Sequence, residues 1–74
     1  MIKFKDFANT LLPGDCIIEL YRWDIAKNPE LLLSIPSGYT WKMDKFFKPY
    51  LDWNFFEIRV EGNRIKLYIT KEAI

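Results

Sequence analysis

Two stretches of alternating apolar and polar residues, separated by only two residues, dominate the last third of the chain. Phe56-Glu57-Ile58-Arg59-Val60-Glu61 runs into Gly62-Asn63, and Arg64-Ile65-Lys66-Leu67-Tyr68-Ile69-Thr70 follows. A period of two marks a strand with one buried face, and a two-residue Gly-Asn loop closes such strands through a type II′ turn. With Gly62 and Asn63 as the loop, Val60 faces Ile65, Ile58 faces Leu67 and Phe56 faces Ile69. All three pairs are apolar and share one face. A slip of one residue would bring polar side chains to that face, so pattern and turn specify the same register.

The remaining elements are read against this hairpin. Phe4, Phe7, Ala8, Leu11 and Leu12 recur at helical spacing, and Pro13-Gly14-Asp15 ends the stripe. Cys16 to Trp23 favours a strand, with Cys16, Ile18 and Leu20 inward and Ile17, Glu19, Tyr21 and Trp23 outward. Asp24 to Glu30 reads as a loop turning at Asn28-Pro29. Leu31 to Ile35 reads as a second strand, with Leu31, Leu33 and Ile35 inward and Leu32 and Ser34 outward. Pro36 at its end points to a sheet edge. Thr40 is a candidate N-cap for a helix that starts at Trp41 and carries Met43, Phe46, Phe47, Tyr50 and Leu51 on one face. Pro49 ends that helix near Phe47 or Lys48. The expected fold is α+β, in the order α-β-β-α-β-β. A four-stranded antiparallel sheet carries two short helices on one face, as one domain spanning 1–74. The two αββ halves do not form a repeat clear enough to claim.

At 74 residues the chain builds one core, yet half its residues are apolar and 18% are aromatic. Some of those rings are expected on a surface that meets a partner. The net charge of +1 marks neither a basic nucleic-acid arm nor an acidic mimic. Histidine is absent and Cys16 stands alone, so one chain cannot build a Ser-His-Asp or Cys-His arrangement, a Cys/His zinc cluster or an internal disulfide. Cys16 reads as a small core residue. The carboxylates are scattered among lysines, and the three glycines, Gly14, Gly38 and Gly62, each serve a turn. No enzyme activity, cofactor or metal is therefore expected. Ile2 is followed at once by Lys3, Lys5 and Asp6, so neither a signal peptide nor a membrane span is expected, and the cytosol is the default location.

Two surfaces qualify as binding sites. The first is the outer sheet face, where Tyr21, Trp23, Arg59, Lys66 and Tyr68 combine rings with cations. Such a mixture suits a protein hot spot or stacking on bases. Arg59 opposite Lys66 sets like charges face to face, with Glu57 and Glu61 placed to neutralise them. The second is the outer side of the second helix, where Trp41, Lys45 and Lys48 lie together and suit a phosphate-rich or acidic partner. The plainer alternatives are a solvated mixed-charge sheet face, and a Trp41 folded back with Tyr39 beside ordinary surface lysines. The phenylalanines at 4, 7, 46, 47 and 56 are expected in the core.

Phe4-Lys5-Asp6-Phe7, Leu11-Leu12-Pro13-Gly14-Asp15 and Ile18-Glu19-Leu20-Tyr21 read as a helix, an acidic turn and a strand in succession. Leu51-Asp52 through Ile58 and Ile65-Lys66-Leu67-Tyr68-Ile69 form the closing hairpin. Together they resemble small accessory proteins of bacteriophages and integrative elements. Trp23 and the lysine-rich second helix are not part of that pattern. The resemblance implies a phage-like accessory role, in some cases inhibition of a host defence effector, and carries over no catalytic residue. The function expected is a non-enzymatic binding or inhibitor protein that occupies a host protein. A nucleic-acid or nucleotide module on the aromatic and basic sheet face is the alternative. Self-association as a homodimer is also expected, because so small a domain cannot cover all its apolar side chains.

Overall fold

Four strands and two short helices follow the expected order in a computed structural model that describes residues 2–8, 16–24, 26–36 and 43–71. Helix α1 spans Phe4–Ala8, strand β1 Ile17–Asp24 and strand β2 Lys27–Ile35. Helix α2 spans Met43–Phe47 and runs into a 3₁₀ turn, Lys48–Tyr50, that contains Pro49. Strands β3, Asn54–Glu61, and β4, Arg64–Thr70, close the chain. The proline ends α2 as expected, because it supplies no N–H for continued α-helical bonding. Leu11, Leu12, Tyr39, Thr40 and Trp41 lie outside the described residues.

The sheet order is β2-β1-β4-β3. Both hairpins pair antiparallel, but β1 and β4 meet in parallel, with Ile18 beside Ile65 and Leu20 beside Leu67. The sheet is therefore mixed rather than antiparallel throughout. After β2 the chain crosses through α2 to β3 at the far edge, and the second hairpin brings β4 back beside β1 in the same direction. The two αββ halves are not equivalent, since β1 is central and β3 is an edge. Both helices contribute to one core, in which Phe4, Ile18, Leu20, Ile35, Phe47, Leu67 and Ile69 are buried. Phe4 and Phe47 meet edge to face at 4.9 Å. Cys16, Phe7 and Ala8 pack partly buried against that cluster, so a side chain from each short helix and the lone thiol share one interior.

The turn of the second hairpin matches its sequence. Gly62 has φ 61°, and among the described residues no non-glycine has a positive φ. A positive φ at the first loop position alone is the II′ pattern. Val60 pairs with Ile65 and Ile58 with Leu67 as expected, but Ile69 pairs with Phe55 rather than Phe56. A bulge between Phe55 and Glu57 inserts Phe56 as an extra residue and turns it to the other face. Phe55 takes the inward position and stacks on Phe7 at 4.2 Å. Phe56, expected in the core, is 37% exposed, as is Phe46. Phe47, its neighbour on α2, fills the interior instead.

The first hairpin is tighter than its sequence indicates. Strand β2 starts at Lys27, so Asn28 and Pro29 lie within it and are not its turn. The turn is made earlier, where the Ala26 N–H donates to the Asp24 carboxylate at 2.9 Å. Pro29 is tolerated because β2 is an edge strand. A register shift across Leu31 to Leu33 leaves Leu32 as the extra residue. Leu31 therefore faces outward at 50% exposure, while Leu32 packs against the core.

Candidate functional site

The outer face of the sheet is built from the outward residues of β1, β4 and β3. Parallel pairing sets Tyr21 directly beside Tyr68, and their rings stack at 5.2 Å. Trp23 comes from β1 and Phe56 from β3, on either side of β4, and these rings stack at 4.3 Å. Thr70, on β4 between them, is 1% exposed, and Tyr68 is 8% exposed. The outer face thus has a small packed interior of its own, which holds the rings in place.

Each cation on this face has a carboxylate. Arg59 Nε reaches Glu57 Oε2 at 2.9 Å, Arg64 reaches Glu19 Oε2 at 2.9 Å, and Lys66 Nζ reaches Glu61 Oε2 at 3.0 Å. The like charges of Arg59 and Lys66 are neutralised in the manner expected, by Glu57 and Glu61. Arg64 lies opposite Glu61 along the backbone, yet its side chain turns to Glu19 on β1. Glu19 points outward as expected but is buried, at 7% exposure. It accepts from Arg64 and from the Tyr21 hydroxyl at 3.3 Å. Burial, and then the Glu19 carboxylate, push the Tyr21 phenol above its ordinary value. The hydrogen bond to Glu61 holds the Lys66 ammonium above its own. Arg59 lies 5.5 Å from the centre of the Tyr68 ring and Lys66 lies 6.0 Å from that of Tyr21.

Five of the residues singled out in the sequence, Tyr21, Trp23, Arg59, Lys66 and Tyr68, therefore share one surface. Lys45 and Lys48 are exposed but belong to the opposite side, because α2 packs through Phe47 on the inner face. Trp41, the third member of the second candidate surface, lies outside the described residues. The sequence reading missed Phe56 as a member of the outer face and the burial of Glu19 there. The adjacent aromatics Phe55-Phe56 were the signal for the first, since two neighbours on a regular strand cannot both face inward. Arg22 and Lys71 lie 5.9 Å and 5.0 Å from the centre of the Trp53 ring, on the inner side. An open cleft of about 270 Å³ at the turn end of the first hairpin is lined by Arg22, Asp24, Lys27, Asn28 and Glu30. Its two cations and two carboxylates cancel and select no charged ligand. Among the described residues no helix is long and apolar enough to cross a membrane. No protein-family model, curated protein or solved structure matches the chain.

Proposed function

We propose that the chain is a non-enzymatic protein-binding module whose contact surface is the outer sheet face. The observation that carries this reading is the combination of stacked rings with balanced charge. Aromatic and arginine side chains held in place are what protein hot spots use. Three cations matched by three carboxylates leave no surplus to neutralise a phosphate backbone. Arg59 and Lys66 also lie close to the tyrosine rings that a base would need for stacking. Both points favour a protein over nucleic acid or a nucleotide. The finer form of the reading is a phage-type accessory protein acting in the host cytosol. It would occupy a host protein, a defence effector, and block it. That form rests on the resemblance of the opening helix, turn and strand. A second copy of the chain is a further partner under the same reading.

The test compares capture from bacterial extract by the native chain and by two double variants. Phe56→Ala/Arg59→Ala alters exposed residues of the face, and Lys45→Ala/Lys48→Ala alters the far side. A stoichiometric protein partner lost only with the first variant supports the reading. Capture that survives loss of the face overturns it. So does binding to an oligonucleotide that falls steeply between low and high salt.

A further inference from the structure

The two edges of the sheet are not equally protected. Edge β2 contains Pro29, the charges of Lys27 and Glu30 and two register irregularities, all of which discourage pairing with another strand. Among the described residues, edge β3 is covered only at its start. There Phe55 N–H donates to Ile2 O at 2.9 Å, Phe4 N–H donates to Trp53 O at 2.7 Å, and Lys3 bridges to Asn54. Beyond the bulge, Glu57 to Glu61 pair with β4 alone among the described residues. In a hairpin with a two-residue loop, the residues flanking the loop exchange both hydrogen bonds, and alternate pairs follow. Glu61, Arg59 and Glu57 therefore point their backbone groups at β4, and Ile58 and Val60 point theirs outward. The same two residues expose apolar side chains on the inner face, at 41% and 68%.

We propose that a second copy of this chain pairs antiparallel onto the open edge of β3, about a two-fold axis at Ile58, to give a continuous eight-stranded sheet. The alternation of charge selects this register. Centred on Ile58, Glu57 lies opposite the second copy's Arg59, and Arg59 lies opposite its Glu57. Val60 then lies opposite the second copy's Phe56, whose ring the bulge has turned to the outer face. Centred on Arg59, the pairing sets arginine against arginine and Glu57 against Glu61, which repel. Centred on Val60, it sets Ile58 against Gly62, which sits in the turn at φ 61° and offers no side chain. Only the first register matches opposite charges and sets Ile58 against its own copy while pairing residues of β3 alone. It extends the self-association part of the reading above and does not use the aromatic rings. A contact of this length belongs to the small, weak class of interfaces, below about 1,200 Å² in all.

The test uses the full chain over a concentration series by sedimentation equilibrium, with amide exchange read at each residue. Slower exchange of the Ile58 and Val60 amides at high concentration, with no change along β2, is expected. Ile58→Lys should abolish the dimer and leave the melting temperature near that of the native monomer, since the site is already part exposed. Arg59→Glu and Glu57→Arg should each weaken association about tenfold, because the symmetry doubles every cross-strand pair. The combined swap Glu57→Arg/Arg59→Glu should restore it. A chain that is monomeric at about 1 mM overturns the proposal. So does a dimer that Arg59→Glu/Glu61→Arg rescues and the first swap does not. Loss of the host-protein contact with the dimer intact would count against the aromatic face alone.

Discussion

Replacing Arg64 with methionine leaves the Glu19 carboxylate where it is and removes the cation beside it. Glu19 is 7% exposed and its side chain 9%, so water cannot take over the place of the guanidinium. Breaking a fully buried ion pair by deleting one partner costs about 3–5 kcal/mol. The Arg64 side chain is half in water, at 51% exposure, so its share of the attraction is screened and the expected loss falls to about 2 kcal/mol. For a domain of this size that lowers the melting temperature by about 8–16 °C. The reverse deletion, Glu19→Leu, should cost less than about 1 kcal/mol, because a half-exposed arginine can turn to solvent and the new side chain is apolar. The double variant should cost less than the sum of the two by about 1–2 kcal/mol. Urea titrations followed by tryptophan fluorescence measure all three. Equal losses for the two single variants, or a loss below about 0.5 kcal/mol for Arg64→Met, would refute the claim that Glu19 depends on this cation.

The inner face gives a graded test. Leu67→Ala, fully buried, should lose about 2–5 kcal/mol, and Val60→Ala, 68% exposed on the same face, less than about 0.5 kcal/mol, by the same titration. Gly62→Ala should cost about 1–2 kcal/mol through backbone strain alone, since an added methyl group meets nothing within 4 Å; thermal melts read it. Tyr21 and Lys66 bind their protons more tightly in the folded chain than at their ordinary values of 10.0 and 10.5. Above those values the unfolded chain therefore holds fewer protons than the folded one, and stability falls as pH rises. Unfolding measured between pH 8 and pH 12 should show a plateau and then a decline that Tyr21→Phe makes shallower. A decline of unchanged steepness in that variant removes Tyr21 from the account.

How far the fold could be read from the sequence depended on whether a local pattern had one solution. Val60 against Ile65 and Ile58 against Leu67 followed from alternation and the Gly-Asn turn together. Phe55-Phe56 offered two choices for a single inward site, and only the packing against Phe7 decides between them. Leu31-Leu32-Leu33 has no period at all, so the bulge at Leu32 left no trace in the sequence. Asn28-Pro29 has turn chemistry, but the Asp24 side chain closes the turn sooner and the edge position accommodates the proline. The parallel meeting of β1 and β4 depends on strand order, which hydrophobic pattern does not encode. Alternation placed Tyr21, Trp23, Arg59, Lys66 and Tyr68 on one face. The burial of Glu19 there arises from Arg64 and Tyr21, which reach it from the sides.

Placing β4 beside β1 has a kinetic side. Ile18 meets Ile65 about fifty residues later in the chain, whereas each hairpin closes locally. Joining ends that far apart costs about 3 kcal/mol of chain entropy before any contact compensates for it. A lone two-stranded hairpin is at best marginally stable in water, so neither half is expected to persist while it waits for the other. Folding should then proceed as a docking of two transient hairpins along the central seam. Damage to that seam slows folding itself, whereas damage at either rim mainly hastens unfolding.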